Sequence, residues 1–207
     1  MPMLSTWRRT AAVVLSAGCA TLMLSACVIS SDAPLVPADE AAAVLAAGFP
    51  FVPYDGGDGS YTRSEEQGIG GFTKAADSNV YADPSGNMHV AFVPRPDGTL
   101  LLAIESVNGA GETGYLYGIA TVRDGIMAIE IVLAADPAED RAAAGMAVPA
   151  GVTIDDSAVT VADRAGLDAM IELVANGTIR AEPLIAWVGA GEPPPMIVRY
   201  GDWYRGQ

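Results

Sequence analysis

The clearest pattern in this chain is a series of short apolar runs between residues 79 and 133, separated by turn-forming residues. Alternation of apolar and polar positions is typical of strands with one buried face, and short separators make neighbouring strands antiparallel. The pattern therefore predicts an antiparallel meander of five strands. The predicted strands cover residues 79–82, 87–93, 99–107, 115–123 and 126–133.

The turn between the last two predicted strands also sets their register. Asp124-Gly125 between two apolar runs is a strong signal for a two-residue β-hairpin. One face of this hairpin is mainly apolar and is predicted to line the core, while the other face is mixed. The predicted pairs are Arg123–Ile126, Ile119–Glu130 and Tyr117–Val132, and the predicted core face holds Leu116, Gly118, Ala120, Val122, Met127, Ile129, Ile131 and Leu133.

The segments on either side of the meander give weaker signals. The alanine-rich residues 38–47 predict a short helix, and residues 54–71 predict a loop. Downstream, Asp163 is a candidate N-cap for a helix over residues 164–175, where apolar positions recur at helical spacing. Strands followed by a helix indicate an α+β fold in which the helix packs on the sheet. Further strands are predicted over residues 159–161, 183–188 and 196–200.

The first 27 residues have a different pattern, in three parts. Arg8-Arg9 precedes a mostly apolar stretch over residues 10–24, and the small pair Ser25-Ala26 follows. This order of positive, apolar and small residues matches a secretory signal. The apolar stretch is shorter than the roughly 20 residues that span a bilayer core, so a retained transmembrane helix is the weaker interpretation.

The end of this segment, Leu24-Ser25-Ala26-Cys27, resembles the lipobox of bacterial lipoproteins. The resemblance covers residues 1–27 and implies that the Ala26–Cys27 bond is cleaved and that Cys27 carries the lipid. Several acyl chains, palmitate among them, would make a lasting anchor. Because Val28 rather than an aspartate follows the cysteine, the resemblance favours the outer membrane, with the domain facing the periplasm. Ordinary signal cleavage without a lipid is the alternative.

These assignments divide the chain into three parts. Residues 1–26 form the signal peptide, residues 27–37 form the lipidated cysteine and a tether, and residues 38–207 form a single globular α+β domain. The chain contains two cysteines, of which only Cys27 remains after cleavage. Disulfide, zinc–thiolate and iron–sulfur sites are therefore excluded within the mature domain.

The charge of the mature domain is strongly negative. All 25 Asp and Glu residues follow Cys27, whereas two of the 11 Lys and Arg residues precede it. Nine basic residues against 25 acidic ones give the mature part a formal charge of −16. This balance argues against binding of nucleic acid or anionic headgroups, both of which need clustered basic residues. It suits a basic protein partner, although solubility alone also explains an acidic surface.

The sequence offers few candidate functional side chains. His89 is the only histidine, so a metal site with several histidine ligands is excluded. We predict no catalytic residue, no metal site and no cofactor. The best binding candidates are Tyr115, Tyr117 and Glu130 on the mixed face of the last hairpin, because aromatic rings beside a carboxylate suit a protein or ligand contact. The alternative is that residues 138–151 cover this face.

The sequence thus predicts a lipid-anchored protein of the cell envelope whose domain is a non-catalytic binding or assembly module. Two alternatives remain open. One is an envelope hydrolase whose carboxylates are brought together by the fold. The other is an inhibitor or immunity-type lipoprotein that binds a basic protein, which the charge of the mature domain would favour.

Overall fold

The described part of the chain has a mostly β architecture of thirteen strands and two helices in the computed structural model. The structure describes residues 28–57, 60–64, 70–133, 137–155 and 158–198. The strands are β1 (Ile29–Ser31), β2 (Gly48–Gly57), β3 (Ser60–Arg63), β4 (Gly70–Lys74), β5 (Tyr81–Ala82), β6 (Met88–Pro94), β7 (Leu100–Val107), β8 (Thr113–Arg123), β9 (Ile126–Leu133), β10 (Val152–Ile154), β11 (Val159–Val161), β12 (Ala181–Trp187) and β13 (Met196–Val198), and the helices are α1 (Pro137–Ala143) and α2 (Arg164–Ala175).

Eight of the strands close into an antiparallel barrel, in the order β2, β4, β5, β6, β7, β8, β9 and β12. Strand β12 pairs with β9 on one edge and with β2 on the other, and the β8–β9 hairpin completes the ring. Closure gives every barrel strand a partner on both edges. The predicted fold class, an α+β meander of five strands, is therefore wrong, although the five predicted strands are present as β5 to β9.

The error arose in the segment before the meander. Residues 54–71 were predicted to be a loop because they are rich in glycine and acidic residues, and Pro50 and Pro53 interrupt the apolar run before them. In the structure this region holds the end of β2, all of β3 and the start of β4. Strand β2 pairs with β4 through residues 48–51 and with β12 through residues 52–54, and these two pairings close the barrel. The predicted helix over residues 38–47 is also wrong, since only Ala38–Glu40 forms a single 3-10 turn.

Two short sheets extend from the barrel wall. In the first extension β3 pairs with the C-terminal part of β2, and β13 pairs with β3. In the second extension β1 pairs with β8, β11 pairs with β1, and β10 pairs with β11. In the second extension Ile29 lies between Tyr117 of β8 and Val159 of β11 and is 1% exposed. The segment expected to be a tether over residues 27–37 thus contributes a strand with a partner on each edge. A three-residue strand is too short to give a periodic sequence signal.

The predicted hairpin register is confirmed near the turn. Arg123 lies opposite Ile126, and Ile119 lies opposite Glu130. The turn residues Asp124-Gly125 have φ values of 52° and 78°, as a two-residue hairpin of this type requires.

On the N-terminal side of Ile119 the predicted pairing fails, because this edge of β8 pairs with β1 and no longer with β9. Tyr117 lies opposite Ile29 of β1 instead of the predicted Val132 of β9. Gly118 marks the branch, and a Cβ at this position would lie 2.5 Å from the Glu130 carbonyl oxygen. The lack of a side chain therefore allows the backbone of β9 to pass close to β8 while the two strands separate.

A cluster of buried side chains fills the inside of the barrel. All eight barrel strands contribute to it, so it lies within the ring. The aromatic rings of Phe49, Phe72, Tyr81 and Phe92 contact one another with centroid separations of 5.2 to 5.9 Å. The full cluster contains Phe49, Phe51, Phe72, Tyr81, Met88, Val90, Phe92, Leu102, Ile104, Leu116, Ala120, Met127, Ile129, Ile131, Ala186 and Val188.

A second core lies outside the barrel, under helix α2. The predicted helix is confirmed with its cap, since the Asp163 side chain accepts a hydrogen bond of 2.8 Å from the Gly166 amide. Its buried stripe packs against the outer face of β8 and against β1 and β11. Leu133, which was predicted to share the hairpin's core face, belongs to this outer core. The buried stripe includes Leu167, Met170, Ile171 and Val174.

We expect Gly118→Ala to lower the free energy of unfolding by about 1–3 kcal/mol, because a methyl group would overpack the branch between β8 and β9. Urea denaturation followed by tryptophan fluorescence measures this change. Gly109→Ala is the matched control, because a Cβ at Gly109 meets no atom within 4 Å. Equal unfolding midpoints for the two variants would contradict the role assigned to Gly118.

Candidate functional site

Tyr117, one of the three predicted binding residues, is buried in the structure. It is 1% exposed and packs in the core under α2. Its hydroxyl oxygen lies 3.0 Å from Ser31 Oγ and accepts a hydrogen bond of 3.0 Å from the Leu35 amide. Tyr117 therefore holds β1 and the chain after it against β8, and it offers no surface to a partner.

Tyr115 and Glu130 are both half-buried, but the structure does not bring them together. Tyr115 lies opposite Glu105 on β7 and Ser31 on β1, whereas Glu130 lies opposite Ile119. Tyr115 and Ile119 are four residues apart on one strand, which separates them by about 13 Å. A binding role for Tyr115 or for Glu130 stays a prediction, and the two do not form one site. The mixed face around Tyr117 is covered by α2, not by the expected residues 138–151.

A row of polar side chains crosses the outer face of three neighbouring strands at Tyr115. His89 on β6 lies opposite Glu105 on β7, which lies opposite Tyr115 on β8. His89 Nδ1 is 3.6 Å from Glu105 Oε1, and the two side chains are 38% and 41% exposed. The predicted alternation on β6 is confirmed, since Met88, Val90 and Phe92 are buried and His89 is not.

The row has a defined hydrogen-bonding character. Burial raises the pKa of Tyr115, and the charge of Glu105 and the neighbouring Tyr117 add to this rise. The Tyr115 hydroxyl therefore stays protonated at neutral pH and can donate a hydrogen bond. The carboxylate of Glu105 accepts, and His89 can do either. Such a row can bind a polar group on a partner's surface. Sequence analysis missed it because the register between β7 and β8 was not fixed.

The carboxylates with clearly shifted pKa values serve local structure. For Asp83 burial alone would raise the pKa, but hydrogen bonds from the Ser85 hydroxyl and from backbone amides including that of Met88 outweigh it and lower the pKa. Asp97 behaves in the same way in the β6–β7 turn, through Thr99 and Arg95. A catalytic general acid needs the opposite shift.

Two further carboxylates hold the helices in place through ion pairs. Asp140 of α1 accepts from Arg180 at 2.8 Å, and this pairing lowers the pKa of Asp140. Glu40 accepts from Arg164 at the start of α2 at 2.7 Å. These contacts join elements that are far apart in sequence. Within the described ranges, no three His, Cys, Asp or Glu side chains are grouped closely enough to hold a metal ion.

Comparison of the chain with models of known protein families, with curated proteins and with solved structures gives no match. The predicted cleavage and lipidation positions, Ala26 and Cys27, lie outside the described residues. The first described residue, Val28, follows Cys27 directly and is already part of the fold.

We expect Tyr117→Phe to lower the free energy of unfolding by about 1–3 kcal/mol, because it leaves the Leu35 amide without its acceptor and removes one of the two hydrogen-bond contacts of the Ser31 hydroxyl. Thermal unfolding followed by circular dichroism measures the loss. Tyr115→Phe, on the same strand and face but half-buried, is the control and should be close to neutral. A Tyr117→Phe variant as stable as the control would contradict the structural role of this hydroxyl.

We expect the domain to lose stability as the pH falls below about 4, in part through Asp83. The pKa of Asp83 is lower in the folded state, so its contribution is complete above the unfolded pKa and is lost as the pH falls through the folded value. Asp83→Asn should therefore lower stability at pH 7 by on the order of 1 kcal/mol and weaken the acid dependence. Urea midpoints between pH 2 and 7, with the exposed Asp77→Asn as control, provide the measurement. An unchanged acid dependence in Asp83→Asn would count against this assignment.

Proposed function

We propose that this chain is a lipid-anchored protein of the bacterial cell envelope, held at the outer membrane, whose periplasm-facing domain is a non-catalytic binding or assembly module. The observation that carries the proposal is the Leu24-Ser25-Ala26-Cys27 motif, which directly precedes Val28, the first described residue, whose carbonyl accepts from the Val159 amide. Among the described residues, no helix is both long and apolar enough to cross a bilayer. A lipid on Cys27 would provide the attachment.

The packed interior of the barrel supports a binding role for the outer surface. An eight-stranded barrel is just wide enough either to be filled by side chains or to hold one small ligand. Here the interior is occupied by aromatic and aliphatic side chains from all eight strands. A partner would therefore bind to the outside, where the row of His89, Glu105 and Tyr115 offers donors and acceptors.

The charge of the domain favours a basic partner. The mature part carries a formal charge of −16 from 25 acidic and nine basic residues. Complementary charge speeds association with a positively charged protein, and salt weakens it. An inhibitor or immunity-type role toward a basic protein is the specific form of binding that this observation supports.

The anchor is tested by comparing Cys27→Ala with Cys19→Ala in a bacterial host supplied with an alkyne analogue of palmitate. We expect the wild type and Cys19→Ala to incorporate the label and to remain with the membrane fraction, and Cys27→Ala to lose both properties. Intact mass of the purified wild-type protein provides the second readout. A mature N-terminus without lipid on Cys27 would refute the anchor.

The binding role is tested by chemical crosslinking in intact envelopes, followed by purification through a C-terminal tag. A discrete adduct that forms at low salt and is lost at high salt supports a basic protein partner. The matched control is a triple variant of the polar row, H89A/E105A/Y115F, which keeps the buried face of each strand. Absence of any adduct above the level seen with an unrelated lipoprotein would contradict a binding module.

A further inference from the structure

His89 is the only histidine of the chain, and histidine is the side chain that changes charge near neutral pH. Aspartate, glutamate, lysine and arginine keep their ordinary charges between about pH 5.5 and 7.5. A lipid on Cys27 would also leave the mature domain without a free thiol. Acidification over this range therefore adds a positive charge to the domain at one defined place, the row of His89, Glu105 and Tyr115.

That charge appears beside a carboxylate. His89 Nδ1 lies 3.6 Å from Glu105 Oε1. Six other carboxylates of the described chain lie within 3.6 Å of an arginine, whose charge does not change below about pH 12. Glu105 differs from these six, because its cationic neighbour is present only when His89 is protonated. The six are Glu40, Asp97, Asp124, Asp140, Asp168 and Glu172.

The residues that face His89 from the β5 side are uncharged. Ala82 of β5 lies opposite His89, and Thr73 of β4 lies opposite Ala82. The charged residues next to these two are engaged locally. The carboxylate of Asp83 accepts from backbone amides of its own turn, and the ammonium of Lys74 donates to a carbonyl of the following loop. The acceptor that faces a protonated His89 across the sheet is therefore the one on β7.

The β8 side of Glu105 provides a neutral donor. Burial raises the pKa of Tyr115, and the charge of Glu105, which lies opposite it, adds to the rise. Beyond Tyr115, Ser31 of β1 is buried, and the next residue, Asp32, is exposed. Glu105 is thus the charged group at the centre of the row, with a phenol on one side and a pH-dependent cation on the other.

The Glu105 carboxylate is accessible to a partner. Its side chain is 41% exposed. Two positions along the same outer face lie Ala91 on β6 and Ala103 on β7, and neither carries a side chain that would cover Glu105. A cationic group that reaches this carboxylate also lies beside Tyr115, and aromatic rings attract cations at their faces. With neutral His89 the row therefore suits a lysine or arginine side chain.

Protonation of His89 would weaken such an interaction in two ways. The imidazolium forms an ion pair with Glu105, so the carboxylate is no longer free for a cation of the partner. The imidazolium also repels that cation, because both are positive. Both effects favour binding at neutral pH and release in acid. By linkage, a bound cation in turn disfavours protonation of His89.

We propose that Glu105 binds a lysine or arginine side chain of a basic partner, and that protonation of His89 releases this side chain in acid. The inference rests on the proposed binding role, to which it adds a defined contact and its regulation. The formal charge of −16 attracts a basic partner to the domain throughout this pH range. The row determines whether the contact at Glu105 persists.

The test uses a tetra-arginine peptide with tetramethylrhodamine on its N-terminus and an amidated C-terminus, because the charge of this probe is the same at pH 5.5 and pH 7.5. Fluorescence anisotropy at low salt gives its dissociation constant from the lipidated protein in neutral detergent. For the wild type we expect this constant to rise about fivefold from pH 7.5 to pH 5.5, the effect of one unit charge at about 4 Å in water.

Three variants separate the row from the general charge of the domain. Glu105→Gln should bind weakly at both pH values, and His89→Gln should give the same dissociation constant at both. Glu182→Gln, which removes an exposed carboxylate from β12, is the matched control and should keep the affinity and pH dependence of the wild type. Equal unfolding midpoints show that the fold is intact.

Three results with the peptide would overturn the proposal. One is a wild-type affinity that is the same at both pH values. Another is a pH dependence that persists undiminished in His89→Gln or Glu105→Gln. The third is an equal loss of affinity in Glu105→Gln and Glu182→Gln, which would assign the binding to the general charge of the domain.

A native partner distinguishes this inference from the binding role itself. Solubilised envelopes are passed over the tagged protein at pH 7.5 and low salt, and the column is then washed at pH 5.5. A protein that the wild type releases and His89→Gln retains supports the proposal. A protein that both retain contradicts the release and leaves the binding role standing. No retained protein above the level of an unrelated lipoprotein contradicts both.

Discussion

The exchange of partners along β8 is the constraint on which the rest of the structure depends. Its C-terminal half, residues 119–123, pairs with β9 and closes the barrel. Its N-terminal half, residues 115–117, pairs with β1 and starts the outer extension. Both pairings use the same edge of one strand, so β9 must leave where β1 enters. Gly118 makes this possible, because a side chain there would meet the backbone at Glu130. One glycine thus lets a single strand serve two cores, one inside the barrel and one under α2.

The parts of the fold that local chemistry determines could be predicted from the sequence. The Asp124-Gly125 turn requires positive φ at both positions, and the Asp163 cap satisfies an amide at the start of α2. Barrel closure could not be predicted in this way. It depends on pairing of β2 with β12, which places Tyr54 opposite Ile185. No local signal reports a contact between segments so distant in sequence, and the prolines and glycines of β2 point away from a strand.

At the candidate site, too, local features could be predicted from the sequence and contacts between distant segments could not. Alternation placed His89 opposite the buried side chains of β6, which is a local property and is confirmed. Its neighbours depend on the β7–β8 register, which the Asn108–Glu112 turn sets through hydrogen bonds from the amides of Ala110 and Glu112 to Asn108 Oδ1. The sequence pattern showed that Tyr117 lies on a mixed sheet face. It could not show that α2 and β1 pack over Tyr117, because these elements come from distant parts of the chain. An aromatic residue on a mixed face is therefore ambiguous until the packing against it is known.

The structure also changes where the globular domain starts relative to the predicted signal and tether. The sequence suggested a signal, a tether and a globular part, in which the tether would separate the membrane from the fold. In the structure Val28 packs toward the barrel core, Ile29 packs under α2, and strand β1 has a partner on each edge. Any force transmitted through residue 27 reaches both cores within two residues. A lipid on Cys27 would therefore couple attachment to folding, because displacement of β1 would expose Ile29, remove the Ser31 contact of Tyr117 and open the sheet between β8 and β11.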